Sequence, residues 1–175
     1  MNDWEQGKAA DEDRVMQHTR EAWNRSLGRS LTEAWIGTAA KTAGSPDFIF
    51  GLNTKPLGVE LTEVRGASDA PGWLEEASRL SRKKSESYSR RGLFLFPIIL
   101  VFHSENPALF DMRSYLEQHT EEFLDSDFSE IWAVDLSDAY FSTGHPLRPA
   151  DLFCFKPISH FGFFRAGQQV RKPYG

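Results

Sequence analysis

From Leu93 to Phe102 the chain runs Leu-Phe-Leu-Phe-Pro-Ile-Ile-Leu-Val-Phe, with no charge and no polar side chain. Such a run, rich in β-branched and aromatic residues, suits a strand buried on both faces. It is about half as long as the roughly 20 residues needed to cross a membrane as a helix, and Pro97 interrupts it. The segment therefore predicts a central strand with cover above and below, and no membrane partner.

The rest of the chain supplies that cover. Val15, Ala22, Trp23, Leu27, Leu31, Ala34 and Trp35 recur every three or four positions and predict one or two helices, broken near Gly28. Phe48-Ile49-Phe50-Gly51, then Asn53-Thr54-Lys55-Pro56, then Leu57 to Val64 read as strand, turn, strand. Asp69-Ala70-Pro71-Gly72 precedes a polar segment with helical spacing from Trp73 to Arg91, and Gly92 is its stop. A helix from Asn106-Pro107 to about Leu124, a short strand Ile131 to Leu136, a loop over 144–149 and a closing pair, Leu152 to Phe155 with Phe161 to Phe164, complete the order. The class expected is α/β with a central mixed sheet. At 175 residues with 40% hydrophobic content there is material for one core, so residues 14–175 are expected as one domain after a polar acidic tail, 1–13. One cysteine, Cys154, and a charged opening point to a reducing, cytoplasmic setting.

The net charge of -5 does not favour a polyanion partner, but its distribution is uneven. Ten acids between Glu105 and Asp138 face only Arg113, and that flank should repel nucleic acid. From Trp73 to Arg91 six bases outnumber three acids, and the C-terminal region is also cationic. These two stretches are either solvated faces or a side for phosphates.

The segment Pro46-Asp47-Phe48-Ile49-Phe50-Gly51, followed by Gly58-Val59-Glu60-Leu61-Thr62-Glu63, carries the most chemical information. On a hairpin, Asp47 and Glu60 project to one side of the sheet, and two carboxylates offer the hard oxygens that Mg²⁺ or Mn²⁺ takes. A helix, Pro-Asp opening a strand, a hairpin, a glutamate in the next strand, then a helix and a central strand resemble the PD-(D/E)XK, or restriction-endonuclease-like, nucleases. The resemblance implies a three-layer domain, a mixed sheet flanked by helices, and a Mg²⁺-dependent nuclease acting on nucleic acid. By position Asp47 and Glu60 would hold the metal, with the carbonyl of Leu61 beside them. Thr62 stands where that family carries its catalytic lysine, which some members instead place on the following helix.

That helix contains a candidate. At about 100° per residue from Trp73, Ala77 falls near 40°, Leu80 near 340°, Lys84 near 20° and Tyr88 near 60°, whereas Lys83 lies near 280°. Lys84 is thus centred on the apolar stripe, where its ammonium either meets Asp47 and Glu60 or snorkels to water. Glu21 or Glu33 are candidates for a further acid, Glu63 alternates away from Glu60, and Phe153, Phe155, Phe161, Phe163 and Phe164 are either core or a stacking platform. The histidines show no zinc spacing. Three functions remain open at this level: a nuclease with Asp47, Glu60 and Lys84 as its catalytic set, whose target choice rests on loops, a homodimer or a protein partner; a catalytically silent binding or assembly module of the same fold; and an unrelated α/β interaction domain.

Overall fold

The computed structural model describes residues 3–27, 32–36, 45–52, 55–104, 112–136, 151–156 and 162–164. Its elements in chain order are α1 (Asp3–Leu27), β1 (Thr32–Ile36), β2 (Phe48–Leu52), β3 (Lys55–Glu63), α2 (Ala70–Arg90), β4 (Ile98–Ser104), α3 (Arg113–Glu117), a 3-10 turn (Thr120–Phe123), β5 (Glu130–Asp135), β6 (Asp151–Lys156) and β7 (Gly162–Phe164). All seven strands form one mixed sheet in sequence order. β3, β4 and β5 run parallel to one another, and the pairs on either side are antiparallel. Among the described residues no helix is long and apolar enough to cross a membrane.

Alternation along the strands sends side chains to two separate cores, one on each face. Val15, Met16, Ala22 and Trp23 of α1 pack on Phe48, Phe50, Val59, Leu61, Ile99, Val101 and Trp132. On the other face Trp73, Leu74, Ala77 and Tyr88 of α2, with Leu116 of α3, pack on Ile98, Leu100, Phe102, Ile131, Ala133 and Phe155. The chain is therefore an α/β domain with helices on both faces of an open mixed sheet. Phe153 and Phe155 are fully buried and belong to the core; Phe161 and the side chains of Phe163 and Phe164 lie outside the described residues.

The ends of α2 follow from its sequence. Asp69 caps the first turn, its carboxylate accepting from the Gly72 N–H at 2.8 Å, and a proline stands in that turn. At the other end Gly92 adopts φ 63°, its N–H donates to the Ser89 carbonyl, and the Leu93 N–H reaches back to the Tyr88 carbonyl. This is the Schellman arrangement, and it needs the left-handed backbone that glycine supplies.

Four expectations are corrected. Thr32–Ile36 is an edge strand rather than helix: its spacing fits both periods, and Thr, Trp and Ile favour the strand that pairs with β2. The acidic opening is helical from Asp3 onward, as the first half of α1. The apolar run is strand only from Ile98, because Gly92 and Pro97 shape the preceding residues into a connection that leaves Leu95 83% exposed. The long helix expected before β5 is, among the described residues, a five-residue α3 and a 3-10 turn. Its first residues, the break near Gly28 and the loop over 144–149 lie outside the described residues.

Candidate functional site

Phe48 pairs with Val59 in the β2–β3 ladder, so Asp47 stands one step further on, across from Glu60. Just before it, Pro46 is buried against Gly58, where an added Cβ would lie 2.8 Å from the proline Cγ. Only a glycine leaves room for that contact, which fixes where the chain enters β2. The Asp47 carboxylate then accepts a hydrogen bond from the Leu61 N–H at 2.8 Å. Asp47 is tied in this way to the backbone directly after Glu60.

Glu60 is only 7% exposed, on the sheet face that α2 covers. Lys84 Nζ donates to its Oε1, and the Tyr88 hydroxyl donates to its Oε2 at 2.6 Å. Lys84 and Tyr88 are one helical turn apart, so one face of α2 delivers both donors. The Lys84 ammonium also lies 3.5 Å from the Leu61 carbonyl oxygen. Burial holds the Glu60 carboxyl above the usual carboxylate range and the nearby Asp47 charge adds to this, against the opposing pull of Lys84 and Tyr88. Burial and the Glu60 charge likewise push the Tyr88 phenol far above its ordinary value, so it remains a donor at any working pH. Lys84 thus does not simply snorkel: it ends on Glu60 with its side chain 30% exposed.

These groups open into a cleft of about 830 Å³ at the carboxyl ends of β3 and β4. α1 walls it from the other side with Lys8, Asp11, Glu12 and Arg14, charges that pair along the helix as Lys8 with Glu12 and Arg14 with Asp11. Glu63 pairs with His103 in the β3–β4 register, both line the cleft, and Arg65 holds the Glu63 carboxylate at 2.6 Å. Burial lowers the His103 imidazole to about 4, so it is neutral near pH 7. Thr62 also lines the cleft, and its buried hydroxyl has no hydrogen-bond partner among the described residues.

The structure thus brings together Asp47, Glu60, the Leu61 carbonyl and Lys84. Glu21 lines a different cavity and bonds Gln17, and Glu33 belongs to β1. Lys83 is exposed, and Arg79 and Arg90 of the cationic helix pair with Glu76 and Glu86. Glu121, Glu122 and Asp125 line a cavity with Arg82, so part of the acidic flank faces the basic helix directly.

The sequence reading missed Tyr88 and His103. Tyr88 counts there as one more stripe residue; its position four residues after Lys84 is the only local signal. His103 is marked only by its register beside Glu63, which no single segment reveals.

Among the described residues no group of three or more His, Cys, Asp or Glu side chains is placed to hold a metal ion. A divalent cation that keeps several waters asks less of the protein, namely one or two carboxylates and a carbonyl. Asp47, Glu60 and the Leu61 carbonyl are hard oxygens of that kind. No protein family, curated protein or solved structure matched the chain. Its class is set by its own geometry: an α/β domain with a carboxylate–lysine cleft at the carboxyl ends of its parallel strands.

Proposed function

We propose that this chain is a Mg²⁺-dependent nuclease of PD-(D/E)XK type that hydrolyses phosphodiester bonds in nucleic acid. The observation that carries the reading is the placement of Lys84: α2 delivers its ammonium to Glu60 and beside the Leu61 carbonyl, with Asp47 across the hairpin. The lysine absent from position 62 has a counterpart from the next helix.

Asp47, Glu60 and the Leu61 carbonyl are the groups that would hold Mg²⁺ or Mn²⁺. Such an ion supplies Lewis-acid polarisation of the phosphoryl oxygens. The chain's own part is positional. The Leu61 N–H fixes Asp47, α2 fixes Glu60, and Lys84, with three donor hydrogens, can hold a water while bonded to Glu60. In the reaction the water oxygen bonds to phosphorus as the bond from phosphorus to the leaving sugar oxygen breaks. The water gives up one proton and the leaving oxygen gains one.

Removing a positioned group of this kind typically costs about 10²- to 10⁴-fold in rate. With Mg²⁺ or Mn²⁺, Lys84→Ala should lose nearly all cleavage of DNA or RNA, and Lys83→Ala should keep most of it. Circular dichroism on both variants checks folding. Activity that survives Lys84→Ala rules out the displaced-lysine mechanism.

One observation favours a second reading, a catalytically silent binding or assembly module of the same fold. Both oxygens of Glu60 already have protein donors, so the cluster can stand as a structural ion pair. A folded wild-type chain that cleaves neither DNA nor RNA with either metal selects that reading.

A further inference from the structure

Tyr88 enters the core at the last turn of α2, 6% exposed. Its ring is fixed from two sides, by Phe94 at 5.5 Å and Phe128 at 5.7 Å between centroids. The Schellman turn fixes its backbone as well, since the Tyr88 carbonyl accepts the Leu93 N–H. From this anchored position its hydroxyl makes the 2.6 Å bond to Glu60 Oε2.

A glutamate has three side-chain torsions, and a buried carboxylate with one donor can still turn about the last of them. With Lys84 on Oε1 and Tyr88 on Oε2, both oxygens of Glu60 are held by one helix face. Lys84 is the less constrained of the two by packing, being partly exposed on a long stem with several rotatable bonds. The rigid member is therefore Tyr88, packed among aromatic rings.

We infer that Tyr88 is the positioning residue of this site: its hydroxyl sets the carboxylate plane of Glu60, so that the oxygen shared with Lys84 faces Asp47 and the Leu61 carbonyl. This role rests on the metal-dependent reading above. A phenol that merely found a partner for its own buried hydroxyl would matter to stability and to nothing else. A phenol that aims a metal-binding carboxylate matters to the metal as well, and groups that orient a ligand typically contribute about 10- to 100-fold to metal affinity.

The test is Tyr88→Phe in the full chain, which deletes one oxygen and keeps the ring. Mn²⁺ titration by calorimetry should show a dissociation constant raised about 10- to 100-fold. For cleavage, kcat should fall while KM for nucleic acid holds. If Tyr88→Phe does not fold, Phe94→Leu loosens the ring and leaves the hydroxyl in place; it should weaken Mn²⁺ binding several-fold in a folded chain. A folded Tyr88→Phe, or failing that a folded Phe94→Leu, that binds Mn²⁺ as the wild type does overturns the role of Tyr88 and leaves the metal site standing. Wild-type protein that takes up no Mn²⁺ overturns the metal reading and the role of Tyr88 together.

Discussion

Toward α1 the central strands present Val59, Leu61, Ile99, Val101, Trp132 and Val134; toward α2 the same strands present Glu60 and Thr62 among Leu100, Phe102, Ile131 and Ala133. The first face is apolar apart from Glu130, whose buried carboxylate accepts the Trp132 indole N–H at 2.7 Å, and its far end, where Glu63 and His103 reach the cleft. The second has polar groups set into its core, and these fall into two kinds. Ser85 and Ser89 of α2 both donate to the Asp127 carboxylate, at 2.8 and 2.7 Å, and so tie the turn before β5 to the helix. Glu60 is instead a buried carboxyl beside Asp47 that takes two donors from α2, Lys84 and Tyr88. Burying a carboxylate costs stability unless it is fully paired, and apolar replacements often serve a fold better. The serines explain how the layers are joined; Glu60, with a donor on each oxygen, is the group that the proposed reaction at the cleft would use.

The largest stability effect should fall on the apolar face. Trp23 is fully buried, edge-on to Trp132 at 6.1 Å, and Trp23→Ala should cost about 3–5 kcal/mol in urea unfolding. A loss below about 1 kcal/mol would mean that α1 is not seated on this face as described.

A smaller effect, on the order of 2 kcal/mol, should come from His103, where the apolar face meets the cleft. Its imidazole takes a proton near 6.5 in the unfolded chain but only near 4 in the folded one, because burial penalises the charge. The unfolded chain therefore binds more protons between these values. Stability is full above about pH 6.5 and is lost as pH falls toward 4. Glu60 works in the opposite sense, since its folded form takes up a proton more readily than the unfolded chain. The informative quantity is thus the stability of wild type minus that of His103→Gln, which should fall steadily as pH drops from 6.5 toward 4, because only the wild type carries the imidazole that titrates. Equal pH profiles for both proteins would show that His103 is not held neutral.

The smallest effect separates the polar inlay into its parts. Thr62 has a buried hydroxyl with no partner among the described residues, and valine has nearly the same shape. Thr62→Val should leave stability unchanged or raise it by up to about 1 kcal/mol. A loss of more than about 1 kcal/mol would show that the hydroxyl has a structural bond after all.

Much of this layout could be read from the sequence, for identifiable reasons. The Ile98–Phe102 run needs cover on both faces, the Pro-Asp entry and the glutamate thirteen positions on share a hairpin face, and Asp69, Pro71 and Gly92 punctuate α2. Lys84 could be placed by angle alone, since a cation on an apolar stripe calls for a partner. β1 was hidden because Leu31, Ala34 and Trp35 fit a helix as well as Ala34 and Ile36 fit a strand. Leu93 to Phe96 looked like strand because composition does not show a Schellman turn. The role of Tyr88 was hidden for a different reason: a tyrosine among core residues shows its function only through what its hydroxyl reaches, and Glu60 is 28 residues away.

Mn²⁺ binding to wild type and to Asp47→Ala, followed by calorimetry under identical conditions, bears most directly on whether Asp47 and Glu60 form one metal-dependent site. The wild type should show a saturable site, and Asp47→Ala, still folded by circular dichroism, should lose it. Equal Mn²⁺ binding by the two proteins, or none by the wild type, would contradict the assignment.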